Sequence, residues 1–207
     1  MPVIVIDPEL SRCIDRLRRE PHLLLPAVAA WFSGWWNRIK LALLGRRFRA
    51  GRGLRVYGPL YISGPGRVEF GDDCLIIGNA IKPVCIRTLN ANAVVRLGNH
   101  AGLNGAAIQC AQSVEIGDWS NIADAYITDT PAHSLSRRRR EFGGDGVAAA
   151  SVRIGRNVWI SVQVVVLHGV SIGENSVIGA CSLVRQDVPA NVFCAGNPLA
   201  VISEISD

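Results

Sequence analysis

The sequence predicts a mainly β protein: a parallel β-helix of short strands, with an N-terminal helical segment and a protruding loop. Three observations predict it. Aliphatic residues recur every six positions at Ile154, Ile160, Val166, Ile172, Ile178 and Val184. The position four later holds Val158, Val164, Val170, Ser176, Ser182 and Val188. Glycine follows the aliphatic at Gly155, Gly173 and Gly179.

A period of six suits neither an α-helix at about 3.6 nor an amphipathic strand at about 2. It suits a chain that runs straight briefly, turns, and repeats. Each aliphatic points into a shared interior, the small residue fits a crowded corner, and Gly or Asn tolerates the turn backbone. Three such segments close one triangular coil. Coils stack at about 4.8 Å and bury their aliphatics against each other, so several are needed for stability.

Upstream the repeat is less regular. Phe70 and Ile76 are in frame, and Lys82 breaks it. Leu97 and Leu103 restart it, and Ile116 and Ile122 continue it after a one-residue slip. Irregular coils are therefore expected over 54–127 and regular ones over 152–189. Between them, residues 128–151 (TDTPAHSLSRRRREFGGDGVAAAS) follow no such frame. A long insertion of this kind in a compact array is typically functional or disordered.

Residues 8–49 differ in kind. Leu17, Leu23–Leu25, Trp31, Trp35, Trp36 and Leu41–Leu44 read as one or two helices, broken near Pro26 and Gly34. The uncharged run from Leu23 to Trp36 is too short for a membrane span. Arg46, Arg47, Arg49, Arg52 and Arg55 follow it. The segment either packs on the β-helix or a subunit neighbour, or serves as an interfacial anchor with a basic flank. The domain reading is a helical extension over 1–50 and a β-helix domain over 51–207, with its loop at 128–151 and a tail at 190–207.

The chain carries a net charge of +5, and 49% of it is hydrophobic. That composition argues against disorder. Lysine occurs only at Lys40 and Lys82, and no nucleic-acid motif accompanies the arginines, so nucleic acid is not an expected partner. Cys13, Cys74, Cys85, Cys110, Cys181 and Cys194 form no CxxC and no regular framework, and read as reduced residues of a cytoplasmic protein. The start MPVIVIDPELSR lacks the basic opening of a signal peptide, and Asp7 and Glu9 interrupt it. The expected location is the cytoplasm, with the inner face of the cell membrane as a candidate contact.

Several motifs then converge. They are DTPAHSL (129–135), IGRNVWI (154–160), GVSIGENSVIGACSLV (169–184), DVP (187–189) and AGNPLAVI (195–202). Over about 54–202 the chain resembles the hexapeptide-repeat acyltransferases, which are left-handed parallel β-helices. Within them it is most similar to the polysaccharide and lipopolysaccharide O-acetyltransferase branch, with its Asp-Thr-x-x-His-x-Leu loop. The resemblance implies a homotrimer with sites between neighbouring subunits and acetyl-CoA along the groove between β-helices. It implies transfer of the acetyl group to a saccharide hydroxyl, on a polymer or lipid carrier, with no metal. A small acceptor (a free sugar, serine or an antibiotic) and a non-catalytic trimeric scaffold are the alternatives.

Residue by residue, the resemblance makes His133 the catalytic histidine. In the maltose and galactoside branch the histidine directly follows the position of Asp129, where this chain has Thr130. Asn104 stands near an acceptor-binding position. Trp159 matches the tryptophan of the NVWI motif, and Ala180 a small residue at the pantetheine arm. Ser161 stands where Gly is usual. Arg185 with Gln186 replaces Thr-Lys, and Ser203 replaces a basic residue near the nucleotide phosphate. Arg185 is the candidate for CoA phosphate.

The chemistry fits a histidine. A sugar hydroxyl attacking a thioester must lose its proton, and imidazole is suited to take it near neutral pH. Of His22, His100, His133 and His168, only His133 sits in the loop that interrupts the repeat. Asp129 or Glu141 could orient its other nitrogen, and Asp129 could equally terminate its strand. Arg137–Arg140 reads as a solvated charge run or as a recruiter of anionic groups. A nucleophilic Cys110 or Cys181 is disfavoured by its place inside the repeats. A zinc hydratase would need further histidines close to His133, and a nucleotidyltransferase would need an upstream nucleotide-binding domain.

Overall fold

The computed structural model describes residues 19–134, 136–138, 140 and 148–206. A single turn of 3₁₀ helix, Pro21–Leu23, leads into helix α1, Leu24–Leu43. The chain then coils. The first coil is β1 (Arg47–Ala50), β2 (Arg55–Tyr57) and β3 (Leu60–Ser63). The second is β4 (Arg67–Phe70), β5 (Leu75–Ile77) and β6 (Val84–Thr88). The third is β7 (Val94–Leu97), β8 (Gly102–Asn104) and β9 (Ala107–Cys110), and the fourth is β10 (Ser113–Ile116), β11 (Asn121–Ala123) and β12 (Tyr126–Thr128). The fifth is β13 (Val152–Ile154), β14 (Trp159–Ile160) and β15 (Val165–Val166). The sixth is β16 (Ser171–Ile172), β17 (Val177–Ile178) and β18 (Leu183–Val184), and β19 (Val192–Ala195) and β20 (Ala200–Glu204) close the chain.

Among the described residues these strands form three sheets, of six, eight and six strands. The first takes the opening strand of each coil, the second the middle strand and the third the last. All pairings are parallel except β19 with β20, an antiparallel pair at the C-terminal end. This is the expected left-handed parallel β-helix. The register steps by 18 residues where the period is clean, Arg153 pairing with Ser171. Ile154, Ile160, Val166, Ile172, Ile178 and Val184 all lie in one continuous core at 3% exposure or less. Burying a Val or Ile side chain stabilises by about 1.5–3 kcal/mol, so this column is the main source of cohesion.

The upstream frame is also seen. Phe70, Ile76, Leu97, Leu103, Ile116 and Ile122 belong to the same core. Lys82 lies in a widened corner between β5 and β6, outside any strand. The coil begins at Arg47, inside the stretch 1–50 assigned from the sequence to the helical extension.

Two features differ from expectation. Gly34 does not break the helix: α1 runs unbroken through it. A Cβ at Gly34 would collide with the Leu54 carbonyl oxygen, so the glycine lets helix and first coil approach closely. Pro26 sits in the first turn, where its missing N–H costs no intrahelical bond. The corners between the first and second sheets form a column of left-handed residues. Asp73, His100, Trp119, Asn157, Asn175 and Asn191 have φ of 54–64°. Asn157 donates to Asn175 at 3.1 Å, and Asn175 to Asn191 at 2.9 Å. His100 stacks on Trp119, with ring centroids 3.9 Å apart.

Candidate functional site

The loop that interrupts the repeat leaves the coil after β12 and rejoins it before β13. Its ends are tied together: Ala150 N–H donates to the Asp129 carbonyl at 2.8 Å, and Gly169 N–H to the Ala150 carbonyl at 2.8 Å. Between these ends the Asp-Thr-Pro-Ala-His motif divides its labour. The Asp129 side chain is fully buried. Its carboxylate accepts from the N–H groups of Ala111, Gln112 and Ser113 at 2.6, 2.6 and 2.8 Å, and from the Cys110 thiol at 3.3 Å. Thr130 Oγ1 accepts from Ala132 N–H at 3.1 Å, and His133 N–H donates to the Pro131 carbonyl at 2.7 Å. Ala132 has φ 62°. These turns end with His133 on the exposed surface.

Asp129 thus holds the corner of the coil below. A carboxylate offers about four acceptor positions, and four donors occupy them. Glu141, the other candidate partner of His133, lies outside the described residues, as does Arg139. Arg137, Arg138 and Arg140 are exposed. Cys110, against Asp129, has its thiol pushed up to about 12 by burial and then by the neighbouring carboxylate charge. A protonated, buried thiol is a poor nucleophile.

The remaining candidates fall on two edges of the third sheet. On the edge where the second sheet turns into the third lie Asn104, Ser161 and Ala180, with Trp159 two residues before Ser161 on β14. Trp159 is 53% exposed, and Asn104 and Ala180 are exposed too. Gly105, Asp124, Gln163 and Cys181 supply this edge's left-handed turns, at φ 45–64°. On the opposite edge lie the His133 loop, His168 and Arg185, the last two exposed. Ile127, Val166 and Val184 are paired in register, so Arg185 stands two coils above Thr128 on this edge. About five extended residues separate the edges, a distance on the order of 15 Å. Ser203 lies on β20 opposite Phe193, in the same column of the second sheet as Trp159. His22 lies in the 3₁₀ turn.

One element of the first edge was missed. Lys82, read only as a break in the period, pairs its ammonium with Asp124. The Asp124 N–H donates to the Asn104 carbonyl at 2.6 Å, so Lys82, Asp124 and Asn104 form one polar group. A charged residue where an aliphatic was due was the available signal.

Residues 151–186 match the family described as bacterial transferase hexapeptide (six repeats). The chain is 43% identical over 95 residues to the galactoside O-acetyltransferase of Escherichia coli (strain K12), 46% of each chain being covered. It is 46% identical over 139 residues to the galactoside O-acetyltransferase of Lactococcus lactis subsp. lactis (strain IL1403), covering 67% of this chain and 64% of that one. The matched regions thus span about half to two thirds of these relatives' length. Among solved structures, a galactoside acetyltransferase in complex with coenzyme A superimposes with a TM-score of 0.55 at 30% identity, over 80% of this chain and 70% of that one. A hexapeptide-repeat acetyltransferase from Vibrio cholerae gives a TM-score of 0.55 at 25% identity, over 73% and 76%. With three parallel sheets wound from six-residue segments, and with these likenesses, the chain belongs to the hexapeptide-repeat acyltransferase family.

Proposed function

We propose that this protein is an O-acetyltransferase that moves the acetyl group of acetyl-CoA to a saccharide hydroxyl, at a site completed between copies of a homotrimer. The observation that carries the reading is the division of the candidate residues between two edges of one sheet. Reacting atoms must approach to about 3–3.5 Å. A neighbouring copy can bring its Asn104–Trp159–Ala180 edge against the His133 edge of the first, which no single chain does. The solved relative that holds coenzyme A supports the choice of acyl donor.

In this reading His133 takes the acceptor proton from its exposed loop while the hydroxyl oxygen attacks the thioester carbonyl. The carbonyl carbon gains the C–O bond, the C–S bond breaks, and the CoA thiolate leaves as the thiol by taking the proton that His133 had accepted. Arg185 and the neighbouring arginines meet the CoA phosphates, and Trp159 and Ala180 flank the pantetheine arm. The loop spacing, with Thr130 directly after Asp129, favours an acceptor carried on a polymer or lipid. The relatives named galactoside O-acetyltransferases favour a second reading, in which the acceptor is a free glycoside.

The test is thiol release from acetyl-CoA against sugars, sugar nucleotides and lipid-linked saccharides, followed by His133→Ala on the best acceptor. A general base contributes about 10²–10⁴-fold, so turnover should fall by at least about a hundredfold. Acetyl-CoA binding by calorimetry should stay within a few-fold, and His100→Ala and His168→Ala should stay near wild type. If no acceptor supports turnover above hydrolysis, the enzymatic reading fails. If His133→Ala keeps most activity, the base is another residue.

A further inference from the structure

Helix α1 presents its most apolar face away from the protein. Against the first coil it buries Ala30, Gly34, Asn37 and Leu41. Its opposite face carries Leu24, Leu25, Val28, Trp31, Phe32, Trp35, Trp36 and Leu43, each 45–79% exposed. No charged residue interrupts that face, and the helix contains no acidic residue. An amphipathic helix on a globular protein ordinarily turns its apolar stripe inward, so this orientation requires a partner outside the coil.

The helix lies on the free end of the β-helix. It packs on β1 and β2, the outermost strands of their sheets. The Arg38 guanidinium donates to the Gly51 carbonyl, and Gly34 lies against the Leu54 carbonyl, both on the first coil. The apolar face therefore points outward from the end of the coil stack.

Its surroundings are basic. Trp31 and Trp35 line one shallow depression with Arg38 and Arg52. Arg46, Arg47, Arg49 and Arg67 line a second over the paired strands β1 and β4, with Glu69 as its acidic member. Glu69 is paired with Arg96, and Asp72 with Arg52. Exposed tryptophans next to apolar residues, rimmed by arginines, match the headgroup–acyl boundary of an anionic bilayer. Among the described residues no helix is long and apolar enough to cross a membrane.

We propose that α1 docks this protein flat on an anionic lipid surface, with Leu25, Val28, Trp31, Phe32, Trp35 and Trp36 entering the boundary and Arg46 and Arg52 meeting the lipid phosphates. This stands apart from the acyl-transfer reading, because it needs neither cofactor nor acceptor. Full-length protein should co-sediment with vesicles of phosphatidylcholine containing about one quarter phosphatidylglycerol, and at least about tenfold less with phosphatidylcholine alone. Its tryptophan emission should shift to the blue on the anionic vesicles. The combined Trp31→Ser, Trp35→Ser, Trp36→Ser variant should lose at least about tenfold in vesicle binding. Its melting temperature and its thiol release from acetyl-CoA should match wild type. Should that variant fold poorly, Arg46→Gln with Arg52→Gln tests the charged half and should bring anionic vesicles close to the neutral ones. Wild type that ignores anionic vesicles overturns the proposal, and so does a triple variant that binds as wild type does. A smaller mass by light scattering for the triple variant also overturns it, and would make this face an interface between copies.

Discussion

Both carboxylate oxygens of Asp129 accept backbone N–H groups from the turn that joins β9 to β10, so the side chain acts on the His133 loop through the backbone. A residue four before a catalytic histidine invites the role of orienting partner. The sequence left that role open against a turn ending its own strand; the buried carboxylate instead spends its hydrogen bonds on the turn of the preceding coil. The two roles give different signatures. In Asp129→Ala the N–H donors of Ala111, Gln112 and Ser113 lose their buried acceptor, and each unsatisfied buried group costs about 1–3 kcal/mol. Relaxation will recover part of this, so a net loss of about 2–4 kcal/mol is expected, or roughly 5–15 °C in melting temperature. Asp129→Asn should be similarly costly, because one carboxamide end presents donors to donors. A drop in turnover at unchanged melting temperature would return Asp129 to the chemistry. The Lys82–Asp124 pair beside Asn104 was not legible, because Asp124 gives no periodic signal and pairing over 42 positions depends on the stacking of coils.

At the scale of elements, the strands and their register were legible because one aliphatic per six residues leaves few ways to fold. The irregular coils were legible in outline only: corners such as 78–83 accept insertions without disturbing the buried column, so the period lapses while the core continues. Helix α1 was legible as helical but not in its orientation. Its buried face combines Ala30, Gly34 and Asn37 with a single large apolar residue, Leu41, and nothing in the sequence says that Gly34 faces a carbonyl. In an exposed helix, Gly34→Ala would stabilise by about 1 kcal/mol. Here the added Cβ must push the helix off the Leu54 carbonyl. Overpacking of this kind costs about 1–3 kcal/mol, so the net expectation is a loss of stability. Differential scanning calorimetry of Gly34→Ala measures it. A higher melting temperature than wild type would show that α1 is not held against the first coil in solution.

At the scale of the whole molecule, the candidate site is legible as residues but not as a place, because residues such as Ser161 and Arg185 are carried to different edges by each third of a turn of the coil. The proposed trimer makes a specific arithmetic claim. Each site would use the His133 edge of one copy and the Ala180 edge of the next. His133→Ala spoils the first edge alone. Ala180→Arg, at an exposed corner position, fills the groove of the second edge alone. Each variant by itself should be nearly inactive. In a cyclic trimer assembled from both, every mixed ring contains one interface that joins an intact His133 edge to an intact Ala180 edge. With equal amounts and random assembly, about three quarters of rings are mixed and each has one native site in three, so about a quarter of wild-type turnover should return. Mixing the two folded variants without dissociation and reassembly should restore nothing. Restoration on co-expression, absent on simple mixing, is the outcome a shared site requires. If co-expressed and separately purified variants are equally dead, while both melt as wild type does and light scattering gives the trimer mass, each copy holds a complete site of its own. The approach of the two edges would then have to occur within one chain.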